Sequence, residues 1–309
     1  MGFVILDELL ARQAARVRRL TDQPRLPASR AEAADPPGSL ISVDGAAAVV
    51  ELVTWPPDAF ERVVLGDRTA TLHLVALPDP HEPTAAEAAV GLVTEIRSRT
   101  APIDGVRTQL FLRWPEADTA MHPNWERAGL QVDALWCTRP LGELPSCPAT
   151  DVLARPARPP DAERVAELAV EEVRFHLPLT PFTRDLPVVR PHVEAAVRRP
   201  ARDRPVFVAE RAGDVVGYAL CRVIDTPDDG LVRPAPPGRT GHFLSVGVRA
   251  DARGAGVGRA IVRAAASHLA GLGVQRYSAA FVPANPLASA FWTRLGFRPL
   301  WRYWAAHLD

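Results

Sequence analysis

The segment from Leu244 to Ala260 constrains the fold of this chain more than any other. It reads Leu-Ser-Val-Gly-Val-Arg-Ala-Asp-Ala-Arg-Gly-Ala-Gly-Val-Gly-Arg-Ala. An apolar run suited to a strand leads into a loop with glycines at alternate positions 254, 256 and 258, and a helix follows. Glycines let backbone amides turn inward and approach a ligand closely. The N-terminus of the following helix adds partial positive charge. Strand, loop and helix together form an anion cradle suited to a pyrophosphate.

Three phosphate-binding loops compete for the pattern. A P-loop needs Gly-Lys-Ser/Thr, and the chain has no lysine: all 36 of its cationic side chains are arginine. A dinucleotide loop reads Gly-x-Gly-x-x-Gly, whereas Gly254-Ala255-Gly256-Val257-Gly258 has different spacing and lies late in the chain. Arg253-Gly254-Ala255-Gly256-Val257-Gly258 matches the Arg/Gln-x-x-Gly-x-Gly/Ala signature and resembles the GNAT acetyltransferase superfamily. A second signature follows: Phe281-Val282-Pro283-Ala284-Asn285-Pro286, then Ala288 and Ala290-Phe291-Trp292-Thr293-Arg294-Leu295-Gly296-Phe297. It is similar to the family's strand ending near an Asn, with a helix closing on a Leu-Gly-Phe-like turn. The resemblance runs in order through residues 151–309.

The resemblance implies an α/β fold on a mixed sheet and acetyl-CoA as acyl donor. The backbone of Val246, Gly247 and Val248 would hold the acetyl and pantetheine groups. Arg253, Gly254, Ala255, Gly256, Val257, Gly258 and Arg259 would hold the pyrophosphate. Asn285 would bond the pantetheine arm, with Ala288 and Trp292 completing the cofactor set. An acceptor amine would attack directly, and it must lose a proton while a tetrahedral oxyanion is stabilised. The N–H near Val246 is the candidate oxyanion donor. The family often places a glutamate base near the start of the strand before the loop. His242 stands there in this chain, and an imidazole has a suitable pKa. The family's acid is a tyrosine in the last helix, and here that position is Trp292, which cannot deliver a proton. Tyr277, Tyr303, a water, or unaided departure of the thiolate remain open. The acceptor wall falls on 176–185, with His176, Phe182 and Arg184 as candidate contacts. Glu171 and Glu172 are neighbours on a helix, point about 100° apart, and read as solvated.

The chain's 309 residues suit two domains of about 150 residues each. Prolines at 145, 148, 156, 159 and 160 place the boundary between 1–148 and 149–309. In the first half the pattern predicts a helix over 8–20, a hairpin over 40–53, a strand over 70–77, a helix over 85–97 and a strand over 106–114. A short helix then closes near 129. In the second it predicts helices over 161–175, 259–272 and 286–295, with strands over 205–210, 215–223, 242–248, 276–282 and 298–304. A faint repeat links the halves: 105–115 aligns with 273–283, and 125–130 with 292–297. Where the glycine loop belongs, the first half has Leu77-Pro78-Asp79-Pro80-His81-Glu82-Pro83-Thr84. Prolines remove amide donors and acids repel phosphate, so that half reads as a degenerate copy with a structural or acceptor-walling role. Zero net charge argues against a nucleic-acid partner. No apolar stretch approaches the ~20 residues of a membrane span, and the N-terminus lacks the pattern of a signal peptide. Cys137, Cys147 and Cys221 match no metal spacing. A cytoplasmic N-acetyltransferase acting on a small-molecule amine is the expectation. The alternatives are a non-catalytic CoA-binding regulator and a protein or peptide acetyltransferase.

Overall fold

A computed structural model of the chain describes residues 2–21, 26–32, 38–145, 151–228 and 233–308. In chain order the elements are α1 (Gly2–Leu20), β1 (Ser39–Val43), β2 (Ala46–Thr54), α2 (Arg62–Leu65), β3 (Arg68–Ala76), α3 (Ala85–Arg99), β4 (Thr108–Pro115), α4 (His122–Arg127) and β5 (Gln131–Pro140). There follow β6 (Val152–Pro156), α5 (Ala162–His176), α6 (Val189–Arg198), β7 (Val206–Arg211), β8 (Asp214–Thr226), β9 (Gly238–Val248), α7 (Val257–Gly271), β10 (Arg276–Phe281), α8 (Pro286–Arg294) and β11 (Arg298–His307). The expected elements are present with shifted ends. α2, β5, β6 and α6 have no counterpart among the expected elements, although α6 buries Val189, Val193 and Val197 at helical spacing.

The chain forms two compact units. The first comprises Met1–Trp136, Pro227–Pro236 and Pro299–Asp309; the second comprises Cys137–Thr226 and Pro237–Arg298. The sequence boundary near 148 falls within 146–150, outside the described residues. The first unit takes in 299–309 because β11 hydrogen-bonds antiparallel to β4, Trp301 opposite Pro115 through His307 opposite Gln109.

In the first unit the strands run in the order β1-β2-β3-β4-β11. β3 and β4 are parallel, Arg68 opposite Thr108 to Leu72 opposite Leu112, and α3 crosses over between them. Leu92, Val93 and Ile96 of α3 pack with Leu110, Leu112, Trp114, Trp125 and Trp304 in the core. In the second unit the order is β10-β9-β8-β7-β6. β9 and β10 are parallel from Thr240 opposite Arg276 to Phe243 opposite Ala279, and α7 is the crossover. Neighbouring residues of β8 point to opposite faces. A Cβ on Gly217 would meet Ile261 of α7 at 2.8 Å, whereas the Tyr218 hydroxyl reaches the α5 side. Both units are therefore mixed α/β sheets carrying helices.

Among the described residues, no helix is long and apolar enough to cross a membrane, and no cluster of His, Cys, Asp or Glu has the arrangement to hold a metal ion. Cys137 and Cys221 are buried, and burial pushes the Cys221 thiol up.

Candidate active site

β9 and β10 part company in the second unit. Their described pairing ends at Phe243 opposite Ala279, so beyond it β9 turns an edge without a strand partner toward the gap. β9 also carries a bulge: Phe243 lies opposite Cys221 and Ser245 opposite Leu220, leaving Leu244 extra. Bulges bend a strand and re-aim its side chains. Gly247 is not the bulge, and its bare Cα has another cause. A Cβ there would lie 2.3 Å from Cε1 of the Tyr218 ring, which packs against the glycine.

The gap opens into a cleft of about 790 Å³, within the range of ~300–1,000 Å³ usual for small-molecule sites. Val246, Gly247 and Val248 line it from β9, residues 252–259 from the loop and α7, and residues 285–295 from α8. The fourth wall is α5, through Leu168, Glu171, Glu172, Phe175 and His176. Gly256 is the N-cap of α7 at φ 81°, a left-handed conformation that only glycine adopts without strain. It presents the first N–H groups of a 15-residue helix to the cleft, where they lack intrahelical acceptors. Arg253 donates from Nε to the Val248 carbonyl at 3.1 Å and holds its guanidinium 4.9 Å from the Phe175 ring centre. With Arg259 it brings positive charge to the same wall. Helix start, bare loop and arginines suit a polyphosphate.

Asn285 caps α8, its Oδ1 accepting from the N–H of Leu287 at 3.1 Å and of Ala288 at 3.2 Å. Its Nδ2 lies 3.2 Å from Nε2 of His176, joining α8 to α5 inside the cleft. Trp292 lines the cleft and packs edge-on against Phe291 and Phe297, with ring centres 5.0 Å and 4.9 Å away.

Three expected residues lie elsewhere. His242 is absent from the cleft wall and only 2% exposed. β9 begins at Gly238, so His242 sits inside the paired part of the strand, between Arg222 and Ser278. Its Nδ1 lies 3.0 Å from Ser278 Oγ. Burial, and then the charge of Arg222, lower its pKa to about 3. It is a neutral interior side chain rather than a base facing a substrate. Phe182 is a core side chain, 2% exposed, and neither it nor half-buried Arg184 lines the cleft. His176 does. Tyr277 donates its hydroxyl to the Ala266 carbonyl at 2.9 Å and is buried behind α7. Tyr303 belongs to the first unit, against Phe111. Neither tyrosine is in the cleft wall.

The group that sequence reading set aside is Glu172. Its side chain keeps 28% exposure and lines the cleft. Ser245 Oγ donates to Glu172 Oε2 at 3.4 Å, and Tyr218 Oη lies 2.6 Å from Ser245 Oγ. His176 Nδ1 is 3.4 Å from Glu172 Oε1. Burial raises the Glu172 pKa above the usual carboxylate value, although His176 and the two hydroxyls pull the other way. Burial, then the charge of Glu172, pushes Tyr218 well up. A carboxylate of raised proton affinity, wired to two hydroxyls beside a ligand cleft, has the make-up of a general base. The sequence signal existed in the Glu171-Glu172 pair one turn before His176. Both line the cleft, and only folding shows which of the two meets Ser245.

Residues 174–297 match the acetyltransferase (GNAT) family. That segment belongs to the GNAT family. The match takes in the end of α5 with Phe175 and His176, the glycine loop and α8, all of which line the cleft, while Glu172 lies just before it. Among solved structures, the chain is similar to a GCN5-related N-acetyltransferase from Sphaerobacter thermophilus, with 18% identity over 86% of this chain and 77% of that one and a TM-score of 0.53. A likeness of that kind speaks for the fold. Other similar structures include a GCN5-related N-acetyltransferase from Kribbella flavida (16% identity, 96% of this chain and 95% of that one, TM-score 0.46). An aminoglycoside N-acetyltransferase in complex with CoA is a third (16%, 49% and 91%, TM-score 0.39). No curated protein matches the chain. The chain thus carries an acetyltransferase domain of the GNAT family over residues 174–297.

Proposed function

We propose that the GNAT domain binds acetyl-CoA in the cleft and transfers the acetyl group directly to an amine on a small-molecule acceptor. The observation that carries this reading is the start of α7: Gly256, Arg253 and Arg259 on one side of a cleft whose opposite wall holds Glu172 and His176. The donor's pyrophosphate would rest on the helix start, and its acyl end would lie along the free edge of Val246 to Val248. A backbone N–H on that edge would stabilise the oxyanion. A carboxylate wall on the acceptor side favours a cationic amine over an anionic substrate.

The first unit, on this reading, is a degenerate copy without CoA. Support comes from the shared order of two antiparallel strands, a parallel strand, a crossover helix and its partner: β1-β2-β3-α3-β4 in one unit, β7-β8-β9-α7-β10 in the other.

Acetyl-CoA titration by calorimetry, followed by thiol release against a panel of amines, tests both parts. One CoA per chain with amine-dependent release is the expected result. Two equivalent sites would overturn the degenerate first unit. CoA binding without release against any amine would favour a regulator that senses CoA, a reading to which Trp292 at the family's tyrosine position lends weight.

A further inference from the structure

Acetyl transfer releases one proton and consumes another. The acceptor nitrogen attacks the thioester carbonyl carbon, forms the C–N bond and gives up an N–H proton. The C–S bond then breaks, and sulfur departs with the electron pair as a thiolate that must gain a proton to become the free thiol. With Trp292 in place of a tyrosine, and Tyr277 and Tyr303 outside the cleft wall, the acid is unassigned. No external acid is needed if one group carries the proton from nitrogen to sulfur.

Resting on the function proposed above, we propose that Glu172 takes the acceptor's proton and returns it through the Ser245 hydroxyl to the departing sulfur, with Tyr218 as the positioning residue. Ser245 is not itself in the cleft wall but directly precedes Val246, which is; its Oγ touches the wall residue Glu172, 3.4 Å from Oε2, and stands 2.6 Å from Tyr218 Oη. A hydroxyl has one donor and two acceptor sites. Ser245 can thus accept from protonated Glu172 while donating to sulfur, and still keep its bond with Tyr218. The longer contact is of the kind that tightens when substrate fills a site.

Tyr218 is itself immobile. It is fully buried, and its ring fills the space where Gly247 lacks a side chain. The other groups facing Glu172 are His176 on its own helix and, one bond further, Asn285 at the head of α8. Glu171 lines the same wall, but among the described residues no second carboxylate is bonded to the relay. The raised proton affinity of Glu172 brings it closer to that of the nitrogen it serves.

A double-mutant cycle tests the relay. Thiol release from acetyl-CoA is measured with water and with tyramine as acceptors, for wild type, Glu172→Gln, Ser245→Ala and the pair. Each single variant should lose about 10²-fold in kcat, the scale of general acid–base loss. The double variant should be no slower than the worse single, because both break one path. Tyr218→Phe should lose roughly tenfold in kcat, the worth of one hydrogen bond, with KM for acetyl-CoA unchanged and the acidic limb of the pH profile displaced. A purely structural Tyr218 would lower Tm without moving that limb. If Glu172→Gln does not fold, Ser245→Thr against Ser245→Ala decides: threonine keeps the hydroxyl and should restore turnover. Calorimetry with CoA on the same proteins separates the two claims. Wild type that binds no CoA overturns relay and function together. Wild type that binds CoA but releases no thiol overturns the relay, as does wild-type kcat in Ser245→Ala or multiplying losses in the double variant.

Discussion

The start of α7 and the start of α3 are built on the same plan and finished in opposite ways. Each follows a strand whose parallel partner is reached by the helix itself. Before α7 the loop is glycine and arginine, with its amides facing an open cleft of about 790 Å³. Before α3 the loop is proline and acid, and α1 clamps it shut. Gln13 Nε2 donates to the Val75 carbonyl at 2.7 Å and Gln13 Oε1 accepts from Leu77 N–H at 3.3 Å. Arg12 bonds Glu82 at 3.2 Å, while Arg16 reaches Asp118 at 2.7 Å and Asp79 at 3.9 Å. A nearby cavity in the first unit holds only about 20 Å³. The same backbone plan therefore frames an open cleft in one unit and a closed joint in the other. The choice rests on whether the loop supplies donors or acceptors, and on whether the preceding helix spends its polar groups on the loop or leaves them facing a ligand.

The largest effect should come from giving the open loop an acid. Gly256→Asp puts a carboxylate at the head of α7 in a left-handed position that aspartate tolerates better than most residues. CoA affinity by calorimetry should fall at least ~100-fold, the scale of losing a buried charge contact, while the fold is kept. Unchanged affinity would remove the anion site. The converse change, Asp79→Asn with Glu82→Gln in the closed loop, should leave stoichiometry at one CoA per chain, because the prolines still withhold donors. Arg16→Ala should come next. It strands Asp118, which is fully buried and bonded also by Trp114 Nε1 at 2.8 Å. Breaking such a pair costs about 3–5 kcal/mol, read as a lower denaturant midpoint. CoA affinity of the folded protein should hold, and a parallel loss would mean that the closed joint serves the cleft.

His242 gives a smaller and pH-dependent test. By strand register its counterpart in the first unit is Ala70, opposite Leu110 as His242 is opposite Ser278. Its folded pKa of about 3 lies below the ordinary ~6.5 of the unfolded chain. The unfolded state therefore binds the extra proton between those values, and stability falls as pH drops through that window. At pH 4.5 the cost is about 2–3 kcal/mol. His242→Asn should flatten the stability profile between pH 7 and 4.5, whereas an unaltered slope would assign the acid sensitivity to another group. The smallest effect belongs to Arg12→Ala. Both partners of its pair with Glu82 are well exposed, so the change should stay within ~1 kcal/mol.

What the sequence made legible was whatever depends on local order. The strand–glycine–helix run and the order of helices and strands follow from spacing and backbone chemistry; the cap that Asn285 makes on α8 shows only in the structure. What it hid depends on which side of an element faces inward. Glu172 and Glu171 are indistinguishable on a helix until Tyr218 and Ser245 come to lie across from one of them. His242 looked like a strand end because the strand was read four residues too short; in the sheet it is hydrogen-bonded country on both sides. Phe182 sits in a proline-rich loop that reads as exposed, yet it plugs the core. β6 lies among the prolines of 145–160, which read as a linker rather than as the flanks of a short strand.

β11 carries a consequence for how the protein is made. Arg302 on β11 and Glu116, just past the end of β4, are bonded at 2.7 Å across 186 residues of sequence. During synthesis, domains fold largely in the order they emerge, at about 5–20 residues per second. Here the first unit's sheet waits with the flank of β4 bare until residues 301–307 leave the ribosome. An arrested nascent chain ending before 298 should thus be cut readily by protease around 109–115, and one extended past 307 should resist. Equal resistance in the two would show that the early-made unit closes without its late-made strand.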